Sequence, residues 1–332
     1  MNWFLSPVKR ILPELKWSSP KKLRELGILG MNSRNIDYIG RHNDRSRYPL
    51  VDNKLKTKQA AEQQGMSVPE LFGVVRIQYE VQDLERILEG IEKFVIKPAQ
   101  GSGGKGILVI TERRGDEFVK STGAVLDYRD IKRHTSNILS GLYSLGGRPD
   151  VAMIEDMIDF DQMLSNYSHE GVPDIRVIVY HGFPVMAMMR CSTHASDGKA
   201  NLHQGAVGVG IDIVSGHSLF AVQNNVQVDC HPDTGYRFDE LVLPHWEQVL
   251  KLSSGCYELT GLGYFGADIV LDKNKGPVVL ELNARPGLAI QIANQTGLAK
   301  RLQLVQKSID EQQTPSHLPV EERVSLAKQM FG

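Results

Sequence analysis

Residues 266–287 read GADIVLDKNKGPVVLELNARPG, two apolar, β-branched runs on either side of Asp272-Lys273-Asn274-Lys275-Gly276. That pattern predicts a β-hairpin. Facing Asp272 with Pro277 sets Asp268 opposite Glu281, and the two-residue period of strands then places Asp268, Glu281 and Asn283 on one face. Two carboxylates and an amide carbonyl are hard oxygen donors with no sulfur or imidazole among them. They suit Mg²⁺ or Mn²⁺, ions that keep open positions for water and phosphate oxygens. Glu281 and Asn283 interrupt an otherwise apolar strand, which argues against incidental acids on a solvated surface. The hairpin asks for a phosphate-bearing partner.

A second feature upstream meets that demand. The apolar strand Phe94 to Lys97 runs through Pro98 into Gln100-Gly101-Ser102-Gly103-Gly104-Lys105-Gly106, and a strand follows at once from Ile107 to Thr111. Gly101, Gly103 and Gly106 spell GxGxxG, but a dinucleotide fingerprint needs a helix after the loop. A Walker A loop fails for want of GK[ST]. What remains is a strand, glycine loop, strand unit whose backbone N–H groups close over phosphates while Lys97 and Lys105 neutralise them. Protein kinases use a similar hairpin, yet their lysine follows the loop, and HRD and DFG elements are missing from this chain.

The strand expected over residues 151–158 carries Glu155 and Asp156 at its end. It reads as a hinge on which an adenine rests, with Glu155 accepting from the exocyclic amine and the backbone of Asp156, Met157 and Ile158 beside it. Asp174 and Arg176 open a further strand that turns at His181-Gly182 into Val185 to Arg190. A lone arginine on a strand needs an anionic partner, which is either a ligand or a structural salt bridge. Lys199, Asn201 and His203 lie on a polar loop. His203 reads as a hydrogen-bonding residue, since no second histidine or cysteine stands at ligand spacing.

Composition narrows the function classes. The 332 residues are 41% apolar and 23% charged, as in an ordinary globular protein, with room for two or three subdomains. Lys plus Arg is 38 and Asp plus Glu is 39, a formal net charge of −1 that gives general nucleic-acid binding no support. Cys191, Cys230 and Cys256 are odd in number and form no CxxC pair, so neither a zinc cluster nor a disulfide framework is expected, and a reducing, cytoplasmic setting fits. No run approaches the roughly 18 apolar residues of a membrane span.

The rest of the chain divides at residues 50, 150 and 310. In residues 1–50, Trp3, Phe4, Leu5, Ile11, Leu12 and Trp17 alternate with basic residues, as in a helix packed on its own protein. Ser18-Ser19-Pro20 marks a helix start. Arg34, Arg41, Arg45 and Arg47 follow among asparagines and His42. Two readings stand, a grip for carboxylate or phosphate through forked hydrogen bonds and a solvated basic loop. Helices are expected over Lys54 to Gly65, Asp83 to Ile91 and Pro244 to Thr260, with one or two more in 288–309. Residues 112–150 read as a polar, mobile part of the lid, 213–240 as a strand-rich insertion, and 311–332 as a loosely held tail.

Taken together, Lys54, Lys97, QGSGGKG, Glu155, the DIR of Asp174 to Arg176, the KANLHQG of Lys199 to Gly205, Asp268 and the ELNARPG of Glu281 to Gly287 resemble the motifs of ATP-grasp carboxylate–amine ligases. The order resembles the RimK-type group, and within it the alpha-L-glutamate ligase-like proteins with a GxMNxRN leader. The resemblance implies an α+β ATP-grasp fold, two subdomains clasping ATP, with a short N-terminal leader in place of a full preceding domain. It implies metal ions on Asp268, Glu281 and Asn283, and phosphates contacted by Lys54, Lys97 and the lid Gly101, Ser102, Gly103, Gly104, Lys105 and Gly106. It also implies ribose at Asp174, and Lys199 and Asn201 near the phosphates. Arg176, Arg190 and Arg285 would steady an acylphosphate and the charge of the transition state. An amino acid, peptide or protein acceptor and a homo-oligomer are further implications. Two other readings remain in view, an ATP-grasp phosphotransferase and a nucleotide-binding scaffold without turnover.

Overall fold

Alternating apolar residues build two antiparallel sheets in the computed structural model, which describes residues 19–101, 103–312 and 318–332. The helix expected around Trp3 to Trp17, the first half of the Ser18-Ser19-Pro20 signal, and the lid residue Ser102 lie outside the described residues. The first sheet holds β1 (Leu71–Val75), β2 (Phe94–Pro98), β3 (Leu108–Arg114), β4 (Glu117–Lys120), β5 (Val125–Leu126) and β6 (Ala152–Asp156). Its six strands lie in the order β1-β6-β2-β3-β4-β5. The second sheet holds β7 (Asp174–Tyr180), β8 (Phe183–Cys191), β9 (Val207–Ile211), β10 (Ser218–Gln223), β11 (Val226–Gln227), β12 (Tyr264–Asp272) and β13 (Gly276–Asn283). Its seven strands lie in the order β11-β10-β9-β8-β7-β12-β13. Because β6 pairs with β1 and β2, the boundary expected after residue 150 moves beyond Asp156.

Five longer helices cover these sheets: α1 (Lys54–Gln63), α2 (Tyr128–Leu139), α3 (Trp246–Thr260), α4 (Leu298–Gln312) and α5 (Val320–Phe331). Phe94, Ile96, Ile110 and Phe118 of the first sheet pack with Ile131 and Ile138 of α2 in one core. The polar lid segment expected over 112–150 is thus largely regular structure. Asp127 starts α2 with a reciprocal cap, accepting from Asp130 N at 2.9 Å while the Asp130 carboxylate accepts from Asp127 N at 3.2 Å. Apolar residues fill both faces of the second sheet. Val177, Val179, Phe265 and Ile269 meet α3 on one side, and Ile178, Met186 and Tyr264 meet α4 on the other.

The deciding hairpin forms with a tighter turn than the sequence suggests. Asp272 pairs with Gly276 and Leu271 with Pro277, so the strands begin one residue out of the expected register. Asp272 Oδ1 accepts from Asn274 N at 2.8 Å and Lys275 N at 2.9 Å, and Gly276 takes φ 71°, a three-residue loop closed by a glycine. Leu280 is then an extra residue in the ladder, between the pairs Ile269–Val279 and Asp268–Glu281. That bulge restores the expected facing of Asp268 and Glu281.

The C-terminal segment is a docked helix, not a loose tail. Arg323 on α5 is 0% exposed. Its guanidinium holds the Glu258 carboxylate of α3 in a fork at 2.5 and 2.9 Å, and lies 5.6 Å from the Tyr257 ring. Replacing Arg323 with Met strands Glu258 and opens the contact with α3. The expected cost is about 2–3 kcal/mol, read as a lower urea midpoint with unchanged slope.

The segment before α1 is also tied down. Residues 31–42 form one helical stretch whose centre, Arg34–Ile39, is π-helical. Asn43 behaves as a strand partner, donating to Tyr264 O at 2.7 Å and accepting from Tyr264 N at 2.8 Å. Beside it His42 stands 3.0 Å from His181 and 3.1 Å from the Tyr180 hydroxyl, which donates to Gln306 of α4 at 2.5 Å. Burial, with the neighbouring His42, lowers His181 to about 4. A group lowered from its ordinary 6.5 contributes stability in full above that pH and loses it as pH falls toward 4. His181→Asn, which suits the left-handed φ of 47° at this turn position, should flatten the loss of stability between those limits by about 2–3 kcal/mol in pH-dependent melts.

Candidate functional site

Strand register assembles a buried charge cluster on the second sheet. Arg176 of β7 pairs with Asp268 of β12, and Asp174 of β7 pairs with Arg190 of β8. Arg176 holds Asp268 in a fork at 2.7 and 2.6 Å. Arg190 holds Asp174, with Nε to Oδ1 at 2.5 Å, and also reaches Asp268 Oδ2 at 2.7 Å. Burial alone would raise the Asp268 carboxyl, but the two guanidinium groups override it and hold it at about 2. Burial pushes Asp174 up, against the pull of Arg190 and with the push of the Asp268 charge. Two acids and two arginines leave this group neutral.

Glu281 stands beside the cluster, half-buried, its partner Lys54 Nζ 3.3 Å away. Asn283 Oδ1 accepts from Arg285 N at 2.8 Å and so fixes the loop that follows β13. Asp268, Glu281 and Asn283 offer two carboxylates and an amide oxygen along one hairpin, a donor set whose chemistry fits a hard divalent cation. Among the described residues no third His, Cys, Asp or Glu completes a cluster. The amide oxygen would be the third donor, and Asp268 would share its oxygens with the arginines.

The first sheet faces this hairpin with lysines. Lys54 and Lys58 lie one turn apart on α1, and Lys97 lies on β2. Lys58 and Lys97 both bind the Glu155 carboxylate of β6, and all three are buried. Burial would raise Glu155, yet the two ammonium groups hold it below its ordinary value. Lys58 is lowered by burial in spite of Glu155. One positive charge is left over in this trio. Lys54, Lys58, Lys97 and Glu281 line one small, closed-in pocket between α1, β2 and β13.

The lid is anchored at its base. Lys54 Nζ donates to Gly101 O at 2.9 Å, so a single lysine ties the glycine loop to β13. Buried Asp150 accepts from Gln100 N at 3.0 Å, Ser144 Oγ at 2.8 Å and Val151 N at 2.7 Å. Gly106 has φ 75°, and a Cβ there would lie 2.5 Å from the Tyr143 ring, so only glycine fits. Gly103 and Lys105 are exposed. At Gly104 a Cβ would meet the Lys199 side chain at 3.7 Å, which places the lid tip against the second sheet's loop.

Other expected residues occupy different places. The Glu155 carboxylate, expected to accept from an adenine amine, is instead taken up by Lys58 and Lys97. Asp156 accepts from Lys275 of the β12–β13 turn at 2.7 Å, a link between the two sheets. Met157 and Ile158 follow it without regular structure, half-buried. Asp174 faces Arg190 inside the cluster. Lys199 pairs with Asp197 at 2.9 Å, and Asn201 caps a short helix through His203 N at 3.0 Å. Arg285 shares no acid with the other two arginines, pairing with Asp52 at 3.1 Å over the Tyr48 ring at 4.9 Å.

With its clasp of a glycine-lidded sheet against an acid-bearing hairpin, the chain matches the family described as sugar-transfer associated ATP-grasp over residues 33–307. The chain belongs to this ATP-grasp family. The expected fold is thereby borne out. Over 236 residues the chain is 26% identical to a probable alpha-L-glutamate ligase of Maridesulfovibrio salexigens, spanning 71% of this chain and 56% of that protein. It thus covers little more than half the length of that relative. Solved ATP-grasp structures resemble it more distantly. D-alanine–D-alanine ligase from Bacillus anthracis shares 14% identity over 92% of this chain and 76% of its own, with a TM-score of 0.44. L-amino acid ligase from Bacillus licheniformis shares 14% over 82% and 51%, with a TM-score of 0.45.

Within this ATP-grasp chain the residues that sequence reading missed are Lys58 and Asp150. Lys58 is signalled by its spacing from Lys54, which puts both on one helix face. Asp150 has no comparable signal, because its partners are backbone groups brought together only by the fold. No helix among the described residues is long and apolar enough to cross a membrane.

Proposed function

We propose that this ATP-grasp protein is an ATP- and Mg²⁺-dependent ligase that joins an amino-acid or peptide carboxylate, glutamate being one candidate, to an amine. The observation that carries the reading is the uncompensated positive charge of Lys58, Lys97 and Glu155 facing the hairpin of Asp268, Glu281 and Asn283. A buried excess cation is costly unless an anion completes it, and a polyphosphate does so. Lys97, Lys54 and the lid would hold the phosphates. The backbone after Asp156 would meet the adenine, since the Glu155 side chain is engaged elsewhere. Asp268, Glu281 and Asn283 would hold the metal, whose chemistry is to neutralise phosphate charge.

A substrate carboxylate oxygen would attack the γ-phosphorus, breaking its bond to ADP and giving an acylphosphate. The amine nitrogen would then attack the acyl carbon, phosphate would leave, and the nitrogen's surplus proton would pass to phosphate or water. Arg176 and Arg190 would stabilise the negative charge that develops on the acyl group. Their own acids hold the guanidinium planes fixed. The family description supports adding amino sugars and uronic acids to the substrates tried.

The test is ADP and phosphate release from Mg-ATP across amino acids, short peptides, amino sugars and uronic acids, with mass spectrometry of the products. Substrate-dependent turnover giving a new amide is expected, and Glu281→Ala should lower it by about 100-fold or more. ADP formed with a phosphorylated hydroxyl and no amide would make the protein a phosphotransferase instead. Lys58→Met leaves Glu155 to neutralise Lys97 alone. It should weaken Mg-ATP binding about tenfold by calorimetric titration, with little change in melting temperature.

A further inference from the structure

Most cations of the site have carboxylate partners. Arg176 and Arg190 share Asp268 and Asp174, Lys54 faces Glu281, and Arg285 faces Asp52. Arg34 differs. Its NH1 donates to Pro286 O at 2.8 Å, and its Nε and NH2 donate to Asn35 Oδ1 at 3.0 and 2.8 Å, all neutral acceptors. Among the described residues it makes no ion pair. Pro286 belongs to the loop after β13 and lies over Gly266, where a Cβ would sit 2.9 Å from Pro286 and 3.9 Å from Arg176 Cδ. Pro286 thus touches Arg34 through its carbonyl and packs over Gly266, which borders Arg176.

Two further observations fall at the same place. Tyr264 is 0% exposed, and its hydroxyl has no hydrogen-bond partner among the described residues. Its ring lies 6.0 Å from that of Tyr38, one helical turn beyond Arg34. Burial raises the phenol while the nearby Arg34 charge opposes it, so the guanidinium and the hydroxyl feel each other. Arg34 also begins the π-helical turn Arg34–Ile39, a distortion that occurs frequently at functional sites. The Arg34 fork is met by neutral oxygens alone and the Tyr264 hydroxyl by none, and a carboxylate would answer both.

We propose that Arg34, with the buried Tyr264 hydroxyl near it, forms a subsite for a substrate carboxylate on the side of Pro286 that borders Arg176. Once it displaces the neutral Asn35 oxygen, a carboxylate matches the planar fork in two parallel hydrogen bonds, which favours that group over a point anion. This proposal rests on the ligase reading above and deepens it, because it makes the helix before α1 part of substrate recognition. Arg41, by contrast, points to solvent, its side chain 69% exposed.

The test is isothermal titration of L-glutamate, and separately of inorganic phosphate, into protein saturated with Mg²⁺ and AMPPNP. Wild type and Arg41→Gln should bind L-glutamate alike, Arg34→Gln about tenfold or more weakly, and Arg34→Lys in between, with AMPPNP affinity within about twofold in all four. Equal binding of L-glutamate by Arg34→Gln and wild type overturns the proposal. So does a wild type that binds AMPPNP but no L-glutamate, tighter binding of phosphate than of L-glutamate, or a matching loss of AMPPNP affinity in Arg34→Gln. A wild type that binds L-glutamate but no nucleotide overturns the ligase reading and leaves the subsite standing.

Discussion

Asp268 is held by two arginines from two different strands, and the second sheet is built around that constraint. A buried carboxylate without its partners is strongly destabilising, and so is a buried guanidinium. A slip of one residue along β7, β8 or β12 would turn Asp174, Arg176, Arg190 or Asp268 into the apolar layer on the opposite face. Register is therefore enforced by charge as well as by hydrophobic alternation. The bulge at Leu280 belongs to the same account, since the tight Asp272–Gly276 turn starts the hairpin out of phase and one extra residue brings Glu281 opposite Asp268.

Much of this could be read from the sequence because its signals are local. Strand period, turn residues and hard oxygen donors all lie within residues 266–287, and the glycine loop lies within seven. The turn length and the bulge were hidden because two errors of one residue cancel, giving the right facing of Asp268 by a different path. The partners of Glu155 were hidden for another reason. They are a lysine on the neighbouring strand and one on α1, far away in sequence, and a carboxylate at a strand end looks solvent-facing until those ammonium groups are placed.

The two helices that sequence reading missed share a cause. In α2 the inward positions are Ile131, Thr135 and Ile138 among charged neighbours, so its average polarity resembles a loop. In α5 Arg323 is buried as deeply as Val324 and Ala327, yet pattern reading assigns it to the surface. Its burial is affordable only because α3 supplies Glu258, Ser254 and the Tyr257 ring in one place. Polarity of a residue predicts exposure only when no partner awaits it.

The two halves of the clasp differ in charge, and that difference gives the cleft its direction. The second sheet balances its four buried charges internally, so its field is short-ranged and its arginines are held rigid. The first sheet keeps a surplus cation beside the glycine loop. A polyanion entering the cleft would gain most from the lysine side, where desolvated charge is uncompensated, and would leave the arginines with their acids. At the far end the segment carrying Arg34, Tyr38, His42 and Asn43 covers the start of β12. It does so through backbone-like hydrogen bonds from Asn43, a loop contact at Pro286, and the packing of Tyr38 and Ile39 against the core around Tyr180 and Tyr264. The hydrogen bonds fix the position of the segment, and the buried side chains of Leu29 and Ile39 hold it down. That is how a short helical stretch can set the geometry beside Arg176 with no sheet of its own.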